Sequence, residues 1–231
     1  VSPEGAGTAV RDVQLSAFPE IQVDKPVGGI VGSVFTGSNA DLMKAVAPLY
    51  LAGSVMDTTY GEGKWWTRFR PAGLIAHDLN IEKGDGVTFL ALPEADGSVE
   101  TVCFDPPYIP AGGERTTGAT RGEANYRSRF GLDPMSQAEL DELVTGGMAE
   151  VTRVASRFVL AKANDYVNGG AFTLGHLGMI DAARACGWRV HDLIVHHTGS
   201  GPGGHNIFEP VRARRHHSYL LVFRPDPKAT R

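Results

Sequence analysis

The chain has 231 residues, 42% of them hydrophobic and 21% charged, with a net charge of −4, which is enough apolar material for one α/β domain with a sizeable core. No apolar run approaches the ~20 residues of a membrane span, and the N-terminal stretch carries acids and prolines where a secretory signal would carry an apolar core, so the expected setting is cytoplasmic with no membrane partner. Cys103 and Cys186 sit in apolar segments without metal-ligand spacing and are expected as reduced core thiols rather than a disulfide.

Charge is unevenly spread. From His196 to Arg231 six Lys or Arg face two acids, giving +4 and leaving −8 for the rest. The imbalance predicts either one basic face or a solvated C-terminal charge run.

Residues 1–33 are rich in Gly and Pro with weak periodicity and read as an irregular arm, followed by a domain over 34–231. Val34-Phe35-Thr36-Gly37 leads into a helix over Ala40–Leu51, where Leu42, Met43, Val46, Leu49 and Tyr50 form the apolar stripe. Ser38 or Asn39 is the natural N-cap, and Pro48 predicts a kink or an early end. A short apolar strand then ends at Asp57 and enters a loop with Gly61 and Gly63 two apart, a spacing that allows positive φ and close approach of a ligand to the backbone. Gly73–Asp78 reads as a second strand ending in an acid, 21 residues after Asp57. In a nucleotide-binding α/β half, such an acid accepts from ribose hydroxyls. Gly84-Asp85 leads into the apolar Val87–Leu90, so that acids stand at successive expected strand ends. In an open parallel sheet those ends line one ligand crevice. Asp96-Gly97 is a turn.

Val99–Phe104 reads as a buried strand stopped by Asp105-Pro106-Pro107-Tyr108. Neither proline can donate to a ladder, so the run freezes a short turn. It presents a carboxylate that can accept from an NH2 group, a stiff backbone carbonyl beside it, and an aromatic face on which a planar ring can stack.

Taken in order, Phe35-x-Gly37, Asp57-x-x-Tyr60-Gly61-x-Gly63, Asp78, Gly84-Asp85 and Asp105-Pro106-Pro107-Tyr108 resemble the S-adenosylmethionine-dependent amino-methyltransferases of bacteria and phages, above all those acting on adenine or cytosine in DNA. The likeness runs from about Val34 to the final strand. It implies an α/β, Rossmann-like class I methyltransferase fold: a mostly parallel seven-stranded sheet with an antiparallel C-terminal hairpin. It also implies that Asp105, Pro106, Pro107 and Tyr108 are catalytic, with Asp105 also touching the cofactor. Asp78 and Leu79 would lie at the ribose, Asp85 at the adenine amino group, Gly61 and Gly63 at the close backbone approach, and Phe35, Thr36, Asp57 and Thr59 near the methionine moiety. Tyr60, Glu62 and Trp65-Trp66 depart from the commoner Phe-x-Gly-x-Gly loop. An Asp opening the catalytic motif favours adenine N6. Cytosine N4, an RNA or protein target, and a binding module without turnover are the alternatives.

Residues 111–131 form a polar, Gly-rich stretch. Arg115, Arg121, Arg127 and Arg129, with Tyr126 and Phe130, suit a nucleic-acid backbone; read without that context they are a surface loop. Ser136-Gln-Ala-Glu139 is a capping box opening a helix to about Phe158, which Gly146-Gly147 is expected to break in two. Phe158–Lys162 reads as a strand with Asp165 in the loop at its tip; alone, Lys162 and Asp165 are an ordinary polar strand end, and the resemblance puts them at the substrate. Leu177–Cys186 is a helix closed by Gly187, and Trp188–Val195 and His217–Phe223 are strands. The His- and Gly-rich loop between them lacks an acid or Cys at ligand spacing, so no metal site is expected. Arg212, Arg214 and Arg215 at its end are the candidates for phosphate contacts. The expected partner is nucleic acid, DNA ahead of RNA, with the oligomeric state open.

Overall fold

A computed structural model describes residues 31–108, 131–133, 135–168, 171–198, 213 and 215–229. The elements are β1 (Val34–Thr36), α1 (Asn39–Tyr50), β2 (Val55–Asp57), a 3₁₀ turn (Lys64–Trp66), β3 (Ile75–Ala76), β4 (Val99–Phe104), α2 (Gln137–Val154), β5 (Ala155–Ala163), β6 (Tyr166–Asn168), β7 (Ala171–Thr173), α3 (Gly175–Ala185), β8 (Trp188–His197) and β9 (His217–Pro225). Seven strands form one sheet in the order β1-β8-β9-β5-β4-β2-β3, and β6-β7 form a separate hairpin. All neighbours in the large sheet are parallel except β9, which runs antiparallel to both β5 and β8. This is the expected mostly parallel, Rossmann-like α/β sheet with an antiparallel pair at its C-terminal end. The C-terminal ends of β2, β3, β4 and β5 therefore meet on one edge.

Alternation along the central strands builds the two faces. Val102 and Phe104 of β4, Val159 and Ala161 of β5, and Leu221 and Phe223 of β9 pack against α2 and α3. Cys103, Leu160, Leu220 and Val222 point the other way, into a second core with α1 and Trp65-Trp66. Each fully buried large side chain contributes about 1.5–3 kcal/mol from removal of apolar area. No helix among the described residues is long and apolar enough to cross a membrane.

Local chemistry sets the helix starts. Ser38 caps α1, accepting from Asp41 N while its own N–H reaches the Asp41 carboxylate, and Ser136 with Glu139 repeats the box on α2. Pro48 lies in the last turn of α1, which stops two residues later.

Four expectations are corrected. α2 is continuous through Gly146-Gly147, because Gly147 lets the helix settle on the sheet: a Cβ there would stand 2.5 Å from the Phe104 ring and 3.0 Å from Phe89. Asp85 lies in a loop and not at a strand end, and the apolar run Val87–Leu90 after it is loop as well. The stretch that follows it, residues 92–96, is held by Arg153 of α2, which donates to the carbonyls of Leu92 (3.1 Å) and Glu94 (2.9 Å) and to the carboxylates of Asp96 (2.7 Å) and, on its own helix, Glu150 (2.7 Å). Cys186 caps α3 in an exposed position and is not a core thiol, whereas Cys103 is buried. Finally, β1 and the β6-β7 hairpin are strands where none was expected; three-residue runs carry too few positions for a period to register.

Candidate active site

The loop after β2 is shaped by its own acid. Asp57 is buried, and its carboxylate accepts from Thr59 N (3.0 Å), Thr59 Oγ1 (3.4 Å) and the Trp66 indole N–H (2.6 Å). Burial pushes Asp57 up to about 6; the bonds from Thr59 and Trp66 oppose the rise, and the charge of Asp105 adds to it. The loop is thus folded back on the strand end, with Tyr60 N donating to His77 O at 3.0 Å. Gly61 and Gly63 both have positive φ, 54° and 66°, for different reasons. A Cβ on Gly63 would stand 2.5 Å from the Tyr60 hydroxyl, so that glycine makes room for a side chain. A Cβ on Gly61 would find its nearest atoms 3.9 Å away, and this glycine lines the cavity described below.

Asp78, two residues past β3, ties the second strand end to the first. Its Oδ2 accepts from Gly61 N at 2.6 Å and its Oδ1 from Asn80 N at 2.8 Å. A carboxylate has about four acceptor sites, so two remain for a ligand. Asp85 is turned away from the cavity. Its carboxylate bonds His77 Nδ1 (2.6 Å) and accepts from Val87 N (3.2 Å) and Asp78 N (3.3 Å). The other ring nitrogen of His77 bonds Glu94 at 2.9 Å. A carboxylate on each side favours the doubly protonated imidazolium. Burial works against that charge, but the bonds to Glu94 and Asp85 prevail and raise the His77 pKa.

The end of β4 joins these loops, since Asp105 N donates to Thr59 Oγ1 at 2.8 Å. The turn that follows separates two cavities. The first, about 190 Å³, is lined among others by Thr59, Gly61, Asp78, Leu79, Asp105 and Pro107. The second, about 220 Å³, is lined among others by Tyr108, Asn164, Tyr166, Thr173, Leu174 and Gly178. Pro106 is buried and lines neither. Asp105 and Tyr108, three residues apart, thus open onto different spaces.

Other expected residues are placed less directly. Phe35 and Thr36 lie on β1 and do not line the first cavity; Asn39, at the start of α1, does. Lys162, 3% exposed, donates to Asn39 Oδ1 (2.6 Å) and to His196 Nδ1 (2.7 Å), and His196 Nε2 donates to Gly37 O (2.8 Å). Burial lowers Lys162 to about 8 against the opposing pull of Asp105, while burial and then the Lys162 charge push His196 down to about 4. Lys162 therefore stands behind the site as a buried cation and not on a surface open to a polyanion. Asp165 is buried between His176 (2.7 Å) and the Tyr219 hydroxyl (3.1 Å). Arg215 places its guanidinium 4.1 Å from the centre of the Phe172 ring. Arg115, Arg121, Arg127, Arg129, Arg212 and Arg214 lie outside the described residues.

Sequence reasoning missed Asn39, Trp66, His77, Glu94, Asn164 and His196. Only His77, directly before a strand-end acid, had any signal; the others act through contacts between distant segments. Among the described residues no cluster of His, Cys, Asp or Glu could hold a metal ion.

No family model matches the sequence, and no curated protein matches it. Solved structures with partial likeness include TTHA0409 of Thermus thermophilus, assigned as a DNA modification methylase and complexed with S-adenosyl-L-methionine, at 17% identity and a TM-score of 0.38; the match covers 58% of this chain, and the chain spans about half (50%) of that protein. A SAM-dependent methyltransferase of Methanosarcina mazei gives 8% identity and a TM-score of 0.46 over 78% of this chain and 97% of that one. Magnesium protoporphyrin IX methyltransferase from Synechocystis PCC 6803, with bound SAM, gives 9% identity and 0.42 over 81% and 79%. These likenesses carry no information on what this chain acts on.

Proposed function

We propose that this chain is an S-adenosylmethionine-dependent methyltransferase that modifies an exocyclic amine of a nucleobase, adenine N6 in DNA first. The observation that carries the reading is the Asp105–Tyr108 turn standing between two cavities, one edged by the strand-end acid Asp78 and the open glycine Gly61, the other by an aromatic ring.

The first cavity fits the cofactor. Asp78 keeps acceptor capacity for ribose hydroxyls, the Gly61 backbone lies open for close approach, and Leu79 and Phe89 supply apolar wall. When bound, S-adenosylmethionine supplies an activated methyl group on a sulfonium and departs as S-adenosylhomocysteine.

The target ring enters the second cavity and stacks on Tyr108, which requires a base in a duplex to be flipped out, and its amine reaches across the turn to Asp105 on the first side. Its amine is a poor nucleophile because the lone pair is delocalised into the ring. Asp105 accepts one N–H and the Pro106 carbonyl the other, which draws the nitrogen towards tetrahedral geometry and localises the lone pair. This is positioning and electrostatics, and no strong base is needed before transfer. Once methylated, the nitrogen is cationic and acidic, and its proton passes to the Asp105 carboxylate and on to water. Lys162, whose pKa the Asp105 charge draws upward against the effect of burial, places a buried positive charge behind that carboxylate.

The test is nucleoside mass spectrometry of DNA incubated with the purified chain and S-adenosylmethionine. N6-methyladenine is the expected product. N4-methylcytosine would move the target to the other base, and label appearing only in RNA or protein would sink the DNA assignment.

A further inference from the structure

The β6-β7 hairpin stands apart from the main sheet, and its two faces differ. Tyr166 pairs with Thr173 across the hairpin, and both line the second cavity. Val167 pairs directly with Phe172, so these two side chains share the opposite face. They are 42% and 45% exposed. A hairpin with one face on the protein ordinarily turns polar residues to water; this one turns a valine and a phenylalanine. Leu177 and Leu174, the latter at the rim of the second cavity, follow it and are exposed as well. Half of the eight large exposed hydrophobics among the described residues thus fall between residues 167 and 177, and apolar surface concentrated in that way marks an interaction site.

The cation beside it says what kind of partner fits. Arg215 lies on the Phe172 ring at 4.1 Å, while its one hydrogen bond among the described residues is to the nearby Ala213 carbonyl at 3.2 Å. A guanidinium carbon this close over a ring lets the arginine offer a further planar face to a base and N–H groups to phosphate. Arg212 and Arg214 precede it in sequence. An exposed aromatic with a stacked arginine is the combination that holds unpaired bases and their backbone. A second copy of the chain fits less well, because two half-exposed side chains and an arginine fall far short of the roughly 800 Å² per partner of a stable interface.

We infer that the outer face of the β6-β7 hairpin holds the nucleic-acid strand that carries the target, with the Phe172–Arg215 stack taking a base next to the one delivered into the second cavity. The inference rests on the nucleobase reading above and locates its polymer contact on an element whose inner face is the target pocket.

The test uses the full chain with an adenine-containing DNA duplex, by steady-state kinetics and by fluorescence anisotropy of labelled oligonucleotide. Phe172→Ala and Phe172→Leu should each raise the KM for DNA about 10–100-fold, in line with the loss of one stacked base, with kcat and the affinity for S-adenosylmethionine held. Phe172→Tyr should restore the wild-type KM. Arg215→Gln should weaken binding and lower the slope of log affinity against log salt by about one. Unchanged DNA binding in Phe172→Ala and Arg215→Gln overturns the inference, as does full function in Phe172→Leu, which would reduce Phe172 to apolar packing. A wild-type dimer that Phe172→Ala splits without loss of DNA affinity also overturns it, in favour of a second copy. If the wild type binds oligonucleotide through Phe172 but transfers no methyl group, the hairpin inference stands and the enzymatic reading fails. If it methylates DNA and Phe172→Ala behaves as wild type, only the hairpin inference fails.

Discussion

The two cavities flanking the Asp105–Tyr108 turn differ in how far their polar groups are already satisfied. On the first side most bonds are made: Asp57 is committed to Thr59 and Trp66, Asp85 to His77, and Asp78 already holds Gly61 and Asn80. That wall is built before any ligand arrives. The second side is unfinished. Asn164, in the lining of the second cavity, carries a buried side-chain oxygen with no hydrogen-bond partner among the described residues, a condition that costs about 1–3 kcal/mol, whereas on the first side the same condition falls on Glu94, behind the cavity and outside its lining; a Cβ on Gly178 would meet nothing within 4 Å. A preformed wall suits a cofactor of constant shape, and open polar capacity with spare room suits a substrate that completes the site when it enters.

The strongest way to break this comparison is at the turn both cavities share. Asp105→Ala should cost about 10²–10³-fold in kcat, the scale of removing one preorganised transition-state contact, with cofactor affinity by calorimetry little changed; equal loss of both would show that Asp105 belongs to the first cavity alone. Next is a plug for the second cavity. Gly178→Leu should fill it and cut methylation of DNA at least 10-fold, while S-adenosylmethionine binding stays at the wild-type value. Gly178→Ala, by contrast, should be active and about 1 kcal/mol more stable in denaturant melts, because alanine is the better helix residue and nothing obstructs its methyl group. Asp78→Ala acts on the other side: cofactor affinity should fall by about 1.5–3 kcal/mol, the value of a hydrogen bond to a charged group, with the DNA KM unaffected. Unchanged calorimetric affinity would remove Asp78 from the ribose.

The smallest effect is on the brace behind the first cavity. The folded pKa of His77 is raised above its ordinary 6.5, so the stability it contributes is fully present below pH 6.5 and lost as pH rises through the higher folded value. Asp57, raised from 3.8 to about 6, also makes stability fall with rising pH, but between those two values. His77→Gln should therefore flatten the stability profile above pH 6.5 and leave the limb below pH 6 in place. A profile unchanged above 6.5 would show that the Asp85–His77–Glu94 clasp is not what the titration reports.

Much of the fold was legible from local pattern. The N-cap before α1 and the capping box at Ser136 act over three residues, the run from Val99 to Phe104 is apolar at four of its six positions, and Pro106-Pro107 can only end it. These are short-range steric and hydrogen-bonding rules, and the chain states them directly. Gly146-Gly147 misled because helix propensity is a weak local cost that close packing on Phe104 and Phe89 outweighs. The strand-end acids could be located but not their use: whether a carboxylate faces a ligand or a neighbour depends on which segment folds over it. Trp66 reaching back to Asp57, His77 taking Asp85, Lys162 meeting Asn39 and His196, and Tyr108 opening onto a cavity walled by α2, α3 and the β6-β7 hairpin are decided by the sheet order. The sequence by itself determined the central strands and the helix starts, the Asp-Pro-Pro-Tyr turn and the edge of the sheet on which it would stand. Only the tertiary structure decided that this turn divides two cavities, because that division is made by residues that meet only when β2, β4 and β5 lie side by side.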